Sequence, residues 1–265
     1  MQTVLTIAGF DPSSGAGVAA DLMVFAAHGL FGTSCITSLT VQSTIGVQEA
    51  HPIRPDTVRT TLDCLQSDLP AAGIKIGMLA TAETVTVVAD FLGHLRSRGE
   101  RVPVVLDPVL RSSSGAELLD QPGVELLRQR LLPLVDWVTP NLAELEVLTG
   151  RPVLERADLP AAARLLHEST GLNVVATGGH LDAPDDFMLT AAGTWWLRGT
   201  RIDSASTHGT GCAFSSALLS GLVQGKSGYE AAVGAKLYVA EAIRTAPGLG
   251  KGRGPLNHLW TTDRF

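Results

Sequence analysis

The sequence predicts an α/β fold in which a mostly parallel central sheet is covered by helices on both faces and ends in an antiparallel hairpin at one edge. Three observations carry this. Short apolar, β-branched runs alternate with longer segments of helical period, the pattern of βαβ units. The runs read as buried strands, as a sheet covered on both sides requires. Polar or glycine-containing motifs recur just after these runs, where open parallel sheets bind ligands.

Residues 4–8 read as the first strand, followed by a glycine-rich loop and a helix over 18–28. Residues 34–41 form a second strand. Pro55–Asp68 places Val58, Leu62 and Leu65 at helical spacing, and 74–78 is again a strand. The 82–98 segment is a helix with Val85, Val88, Ala89 and Leu92 on one face. Residues 102–106 and 137–138 are strands separated by a helix over 124–131. Helices over 141–148 and 159–168 precede a strand at 174–176. The alternation breaks at 187–202, where two β-like runs flank Ala191-Ala192-Gly193 and read as the edge hairpin. Helices over 211–224 and 229–245 lead to a polar tail. No linker-like composition interrupts the chain, so residues 1–265 are expected to form one domain.

The bulk composition narrows the partners. A chain of 265 residues, 45% hydrophobic and 17% charged, is long enough to bury a sizeable core. A formal net charge of −6 without a lysine/arginine run argues against nucleic acid or an anionic membrane as a partner. Cys35, Cys64 and Cys212 lie far apart and in no metal-ligand spacing, which suggests a reducing compartment. With no signal peptide and no apolar run of membrane-spanning length, the expected location is the cytoplasm.

The richest motif is Thr207-His208-Gly209-Thr210-Gly211-Cys212, which runs into a small-residue helical segment, 213–221. A glycine-rich turn at a helix mouth aims several N–H groups one way, with the positive end of the helix dipole behind them. That suits a phosphate or a migrating phosphoryl group. Cys212 then occupies the most electropositive point, where a thiol pKa falls. The plain alternative is a helix start with glycines for packing. Residues 9–17 are either a tight strand-to-helix turn or, through Gly15-Ala16-Gly17, bare backbone for a planar ligand to lie on. Asp21 falls in the first turns of its helix, where the dipole stabilises a carboxylate whatever its use. Alternatively, Asp21 and Gln42 together address the edge of a polar heterocycle. Asp107 is a loop acid or a metal and phosphate partner. Asn141 and Glu144 have capping-box spacing, sufficient by itself, or hold water and Mg²⁺ against nucleotide phosphates. His208 reads as a loop or pocket-wall residue, Trp195 and Trp196 as edge packing, and Cys35 and Cys64 as small buried apolar residues.

A wider set of motifs carries a family resemblance. It comprises Ile7-Ala8-Gly9-Phe10-Asp11-Pro12-Ser13-Ser14-Gly15-Ala16-Gly17, Ala20-Asp21-Leu22, Val41-Gln42-Ser43 and Lys75-Ile76-Gly77-Met78-Leu79. Leu106-Asp107-Pro108-Val109, Thr139-Pro140-Asn141-Leu142-Ala143-Glu144, Gly178-Gly179-His180 and the 207–212 stretch complete it. Over essentially the whole chain, the set resembles the ribokinase-like superfamily of ATP-dependent small-molecule kinases. Within that superfamily it is most similar to the bacterial hydroxymethylpyrimidine/phosphomethylpyrimidine kinases of thiamine biosynthesis.

The resemblance implies a ribokinase-like three-layer α/β/α fold with Gly9, Ala16, Asp21, Gln42, Met78 and His208 around an aminopyrimidine. It places Cys212 where most superfamily members have a catalytic aspartate, with Gly209 and Gly211 building the anion hole. Asp107, Asn141, Glu144, Thr177 and Thr210 are implied to handle nucleotide and phosphate, and Asp107 and Glu144 to organise Mg²⁺. The chain departs from the family at Thr177, where lysine is common; Arg111 and Lys236 are the alternative sources of that charge. The expected activity is Mg²⁺- and ATP-dependent phosphorylation of 4-amino-5-hydroxymethyl-2-methylpyrimidine and then of its monophosphate, by a homodimer, with a Cys212 thiolate accepting the proton. Pyridoxal or pyridoxine phosphorylation in the same fold is the nearest rival, although Gln42 with Met78 favours the aminopyrimidine. A non-catalytic pyrimidine-binding relative, and a cysteine hydrolase using His208, are the rivals from other classes.

Overall fold

The computed structural model describes residues 1–112, 115–179, 181 and 183–262; His180 lies outside them. Nine strands among the described residues form one sheet: β1 (Thr3–Phe10), β2 (Phe31–Ser43), β3 (Gly46–Pro52), β4 (Ile74–Ile76), β5 (Val104–Leu106), β6 (Trp137–Val138), β7 (Asn173–Ala176), β8 (Asp186–Thr190) and β9 (Gly193–Leu197). Their spatial order is β3-β2-β1-β4-β5-β6-β7-β8-β9. The strands from β2 to β7 are mutually parallel, and β3, β8 and β9 pair antiparallel. The helices are α1 (Gly17–Ala27), α2 (Pro55–Asp68), α3 (Ala82–Ser97), α4 (Gln121–Leu126), α5 (Leu142–Thr149), α6 (Leu159–Thr170), α7 (Thr210–Val223) and α8 (Gly228–Arg244).

The mostly parallel sheet and its β8–β9 edge hairpin match the sequence expectation. The opposite edge does not: β3 folds back antiparallel on β2, with Val41 opposite Glu49. From Gln48 to Pro52 this strand is exposed on every residue, so it carries no apolar alternation to betray it. Two smaller differences have local causes. Residues 102–103 stay outside the expected strand, where Pro103 has no N–H to donate to a ladder. The helix expected over 124–131 is α4 from Gln121, continued by a π-helical turn at Leu127–Leu131.

Alternation along the buried strands sorts side chains onto two faces. Leu5, Ile7, Ile74, Ile76, Val104, Leu106, Val174 and Ala176 face one core, shared with residues of α2, α3, α5 and α6. Val4, Val105, Trp137 and Val175 face the other, shared with α1, α7 and α8. Thr6 and Lys75 stand on this second face by the same parity, and Lys75 is fully buried there. From β1 the chain leads to β2 on one side, and it later returns to β4 on the other. The sheet therefore has its topological switch point between β1 and β4, the position favoured for ligands.

Candidate active site

At the carboxyl end of β1 the chain turns through Asp11-Pro12-Ser13-Ser14, and Asp11 organises the turn. Its carboxylate accepts from the Ser13 amide at 2.8 Å, the Ser13 hydroxyl at 2.7 Å and the Ala16 amide at 3.0 Å. His208 Nε2 lies 2.7 Å from Asp11 Oδ2 and 3.0 Å from Gln42 Nε2. Burial alone would raise the Asp11 pKa, but the hydrogen bonds from His208 and Ser13 outweigh it and hold it below the usual value. The two glycine loops interleave. A Cβ on Gly15 would stand 2.3 Å from the His208 ring, and one on Gly209, whose φ is +83°, would stand 1.8 Å from the Gly15 carbonyl oxygen. The 207–212 loop is thus seated on the 11–17 loop. Gly9 lies under Met78, whose Sδ would be 2.8 Å from any Cβ there. Gly9, Ala16, Gln42, Met78 and His208 therefore gather around the ends of β1, β2 and β4.

Asp21 departs from the expected place. It is fully buried, accepting from Thr6 Oγ1 at 2.6 Å, Lys75 Nζ at 2.9 Å and Ser216 Oγ at 2.8 Å. With its oxygens engaged inside the α1–α7 layer, it does not join Gln42 at the edge of a ligand. Sequence reasoning assigned no role to its partner. Lys75 is a cation in the centre of the sheet, and Gly77 supplies the room for it, since a Cβ there would lie 2.8 Å from Nζ. Burial works against the Lys75 charge, but the carboxylates, Asp21 foremost and then Asp107, outweigh it and keep Lys75 protonated.

The helix α7 begins at Gly209 as N-cap, so the amides of Thr210, Gly211 and Cys212 have no acceptor within the helix. This helix packs over β4 and β5, which brings Asp107, just past β5, against its mouth. A Cβ on Gly211 would be 3.5 Å from Asp107 Oδ2, and Ser215 Oγ is also 3.5 Å from that oxygen. The Asp107 carboxylate and the Gly17 amide both lie close enough to the Cys212 sulfur to influence its ionisation. The thiolate expectation is corrected here. Burial pushes the Cys212 thiol up to about 12, and although Lys75 opposes this, the negative charges of Asp107 and Asp21 add to it. The helix mouth and Lys75 do not offset burial and these charges, so Cys212 is a neutral thiol at neutral pH.

Asp107 and Glu144 form a second acidic pair. Burial raises Asp107 to about 6 despite Lys75, with Asp21 adding to the rise. Burial and then the charge of Asp107 raise Glu144 to about 8, against hydrogen bonds from the Asn141 and Leu110 amides. The capping box is present: Asn141 Oδ1 accepts from the Glu144 amide at 3.0 Å, and Glu144 Oε2 accepts from the Asn141 amide at 2.9 Å. The capping-box reading of these residues is thus borne out. The pair offers hard oxygen donors whose protons a divalent cation would displace, so it fits such an ion. Among the described residues no three metal-ligating side chains cluster, leaving the rest of a coordination shell to ligand oxygens and water.

Thr177 closes the row of strand ends at β7. It pairs with Asn141 across the ends of β7 and β6, and its amide donates to the Pro140 carbonyl at 2.8 Å. Neither proposed substitute cation is free. Lys236 donates to Asp186 Oδ2 and to the Pro184 carbonyl, both at 2.7 Å, and Arg111 faces Glu117 at 3.6 Å. Through Asp186, which also accepts from the Gly178 amide at 2.9 Å, Lys236 is tied to the residue after Thr177.

Two half-sites thus meet beneath α7, one at the ends of β2, β1 and β4 and the other at β5, β6 and β7. A family model described as phosphomethylpyrimidine kinase matches residues 11–257. The chain belongs to the phosphomethylpyrimidine kinase family. A hydroxymethylpyrimidine/phosphomethylpyrimidine kinase of Haemophilus influenzae is 40% identical over 100% of this chain and 99% of its own. The thiamine biosynthesis bifunctional protein ThiED of Geobacter sulfurreducens is 43% identical over 98% of this chain, which spans 53% of that longer protein. Among solved structures, the pyridoxal kinase of Staphylococcus aureus in complex with AMP-PCP superposes with a TM-score of 0.88 at 28% identity, covering 100% of this chain and 96% of that one. The fold is therefore the ribokinase-like one, and the family is one of phosphotransferases.

One prediction arises from Glu144. Its folded-state pKa, about 8, lies above its ordinary 4.5, so the fold binds an extra proton between those values. The resulting stability is complete below the unfolded value and is lost as pH rises through the folded one. Glu144→Gln, which keeps the capping-box acceptor, should therefore gain on the wild type between about pH 5 and about pH 9. At about 1.4 kcal/mol per pKa unit the gain should reach a few kcal/mol in urea titrations. Parallel pH responses of the two proteins would refute it.

Proposed function

We propose that this chain transfers the γ-phosphoryl group of ATP to the hydroxymethyl oxygen of 4-amino-5-hydroxymethyl-2-methylpyrimidine, and then a second one to the monophosphate so formed. The observation that carries this reading is the position of the α7 mouth over β4 and β5, between the two half-sites. Gly9, Ala16, Gln42, Met78 and His208 line the acceptor side. Asp107, Asn141, Glu144, Thr177 and Thr210 line the nucleotide side.

In the transfer, the acceptor oxygen attacks the γ-phosphorus, the bond from that phosphorus to the β–γ bridging oxygen breaks, and ADP departs. The amides of Thr210, Gly211 and Cys212, backed by the α7 dipole, face the charge on the equatorial oxygens. Asp107 and Glu144 are the residues that would hold Mg²⁺, which when bound neutralises phosphate charge. As a neutral thiol, Cys212 is a relay: its sulfur takes the hydroxyl proton while its own proton moves to Asp107. Asp21 and Lys75 act from below, fixing α1 and α7 through Ser216. All three cysteines are unpaired, in keeping with a cytoplasmic setting, and none of the described helices is long and apolar enough to cross a membrane. The proposed assembly is a homodimer, for which exposed Phe31, Leu39 and Val41 on β2 offer apolar surface; sedimentation of the purified protein tests it.

The decisive assay supplies Mg-ATP with the aminopyrimidine alcohol, and in parallel with pyridoxal, and follows ADP release and product mass. Folded protein that yields neither pyrimidine phosphate sinks the proposal. Cys212→Ala is expected to lower kcat by about 10²-fold or more, the lower range for losing a positioned proton-transfer group. Cys212→Ser, which keeps a transferable proton, should retain more, and equal kcat in all three proteins removes the relay.

A further inference from the structure

Beside the acceptor half-site a cavity of about 350 Å³ opens between the turn joining β2 to β3 and the C-terminal segment. Gln42, Thr44 and His208 line it together with Lys251, Gly252 and Arg253, and among the described residues no carboxylate does. In a chain of net charge −6 this lining is cationic. Lys75, Lys236 and Arg111 are each committed to a carboxylate. Lys251 and Arg253 are exposed and form no ion pair among the described residues.

The backbone that carries these two cations is built onto the site. The amides of Lys251 and Gly252 donate to Thr44 Oγ1 at 3.2 and 3.3 Å. A Cβ on Gly250 or Gly252 would come within 2.3 or 2.1 Å of Thr44, so only glycine lets the segment lie this close. On its other side the His208 amide donates to the Gly254 carbonyl at 3.1 Å, and His208 pairs with Pro255. The two cations are thereby held next to Gln42 and to the approach of α7.

The remaining charges around the acceptor suit a neutral alcohol. Asp11 stands at that half-site and Asp107 at the α7 mouth, and a phosphomonoester brings a further charge of about −1.5 to −2 at neutral pH. A site that accepts both molecules needs cations that the second one meets and the first does not. We propose that Lys251 and Arg253 form a rim subsite for the phosphate of the phosphomonoester acceptor, and so make the second transfer possible without serving the first. This rests on the two-step reading above.

The test is steady-state kinetics of both transfers for the wild type, Lys251→Ser, Arg253→Ser and the double variant. These exposed positions leave the core untouched, and thermal melts verify folding. KM for the monophosphate should rise about tenfold for each cation removed, the equivalent of about 1.4 kcal/mol from one charge-assisted hydrogen bond. The first transfer should stay within about twofold, the change expected of surface substitutions away from a working site. Arg253→Lys should keep part of the effect. A rise in KM for ATP instead assigns the cations to nucleotide phosphates and overturns the inference, as do equal losses in both transfers or no change in either. Wild-type protein that phosphorylates the alcohol but not the monophosphate also overturns it. Wild type inactive on both substrates defeats the parent reading instead, a separate result.

Discussion

Replacing Lys75 with methionine is expected to reduce the free energy of unfolding by about 3–5 kcal/mol, the range for removing one partner of a buried ion pair. The cause is specific. Asp21 is fully buried and keeps only the Thr6 and Ser216 hydroxyls once the ammonium 2.9 Å away is gone. Asp21→Asn should do comparable harm from the other side, leaving the Lys75 charge in the layer. The double change Lys75→Met with Asp21→Leu removes both charges and should recover most of the loss, because apolar groups of similar volume replace a desolvated pair. Urea midpoints of the three variants, at unchanged slope, decide it. A double variant no more stable than Lys75→Met would show that the pair is not the origin of the effect.

Asp107→Asn is expected to separate activity from stability. Turnover should fall by about 10²–10⁴-fold, the usual contribution of a positioned proton-transfer group. Stability should move the other way above about pH 6. The folded pKa of Asp107, about 6, exceeds its ordinary 3.8, so its charge weighs against the fold as pH rises through 6. Asparagine removes that charge while keeping an oxygen for Ser215 and Cys212. An inactive protein that is at least as stable as the wild type in alkaline buffer is therefore the expected result. Undiminished kcat would take Asp107 out of the chemistry.

How far the sequence foretold this site depends on how each residue is read locally. The β1, β5 and β7 runs are apolar on both faces, so composition alone marks them as covered strands. Lys75 carries the opposite signal. A lysine reads as a solvated side chain, and only its place between Ile74 and Ile76, with Gly77 beyond, hints that it points inward. Asp21 was misplaced for the same reason, since its partners lie 15, 54 and 195 residues away. A helix mouth is visible around Cys212 in sequence, whereas the burial of its thiol and the nearby carboxylates, Asp107 past β5 and Asp21 on α1, are set by the fold. Asp11 was legible in principle: Asp followed by Pro-Ser-Ser is a turn in which the aspartate caps nearby amides. Its second role, gripping His208, depends on how two distant loops interleave. The β3 strand had no apolar pattern to offer at all.

The C-terminal segment has a consequence for how the enzyme comes into being. His208 bonds to Gly254, Thr44 to Lys251 and Gly252, Tyr238 to the His258 carbonyl, and His258 Nε2 lies 3.3 Å from the Gly15 carbonyl. Every strand of the sheet precedes residue 198, and α8 is finished at Arg244. A chain cut short near residue 245 would thus keep the described strands and helices but lack the strap that ties the two glycine loops to the β2–β3 turn. The sheet can assemble before residues 250–258 are made, while the catalytic mouth waits for that strap.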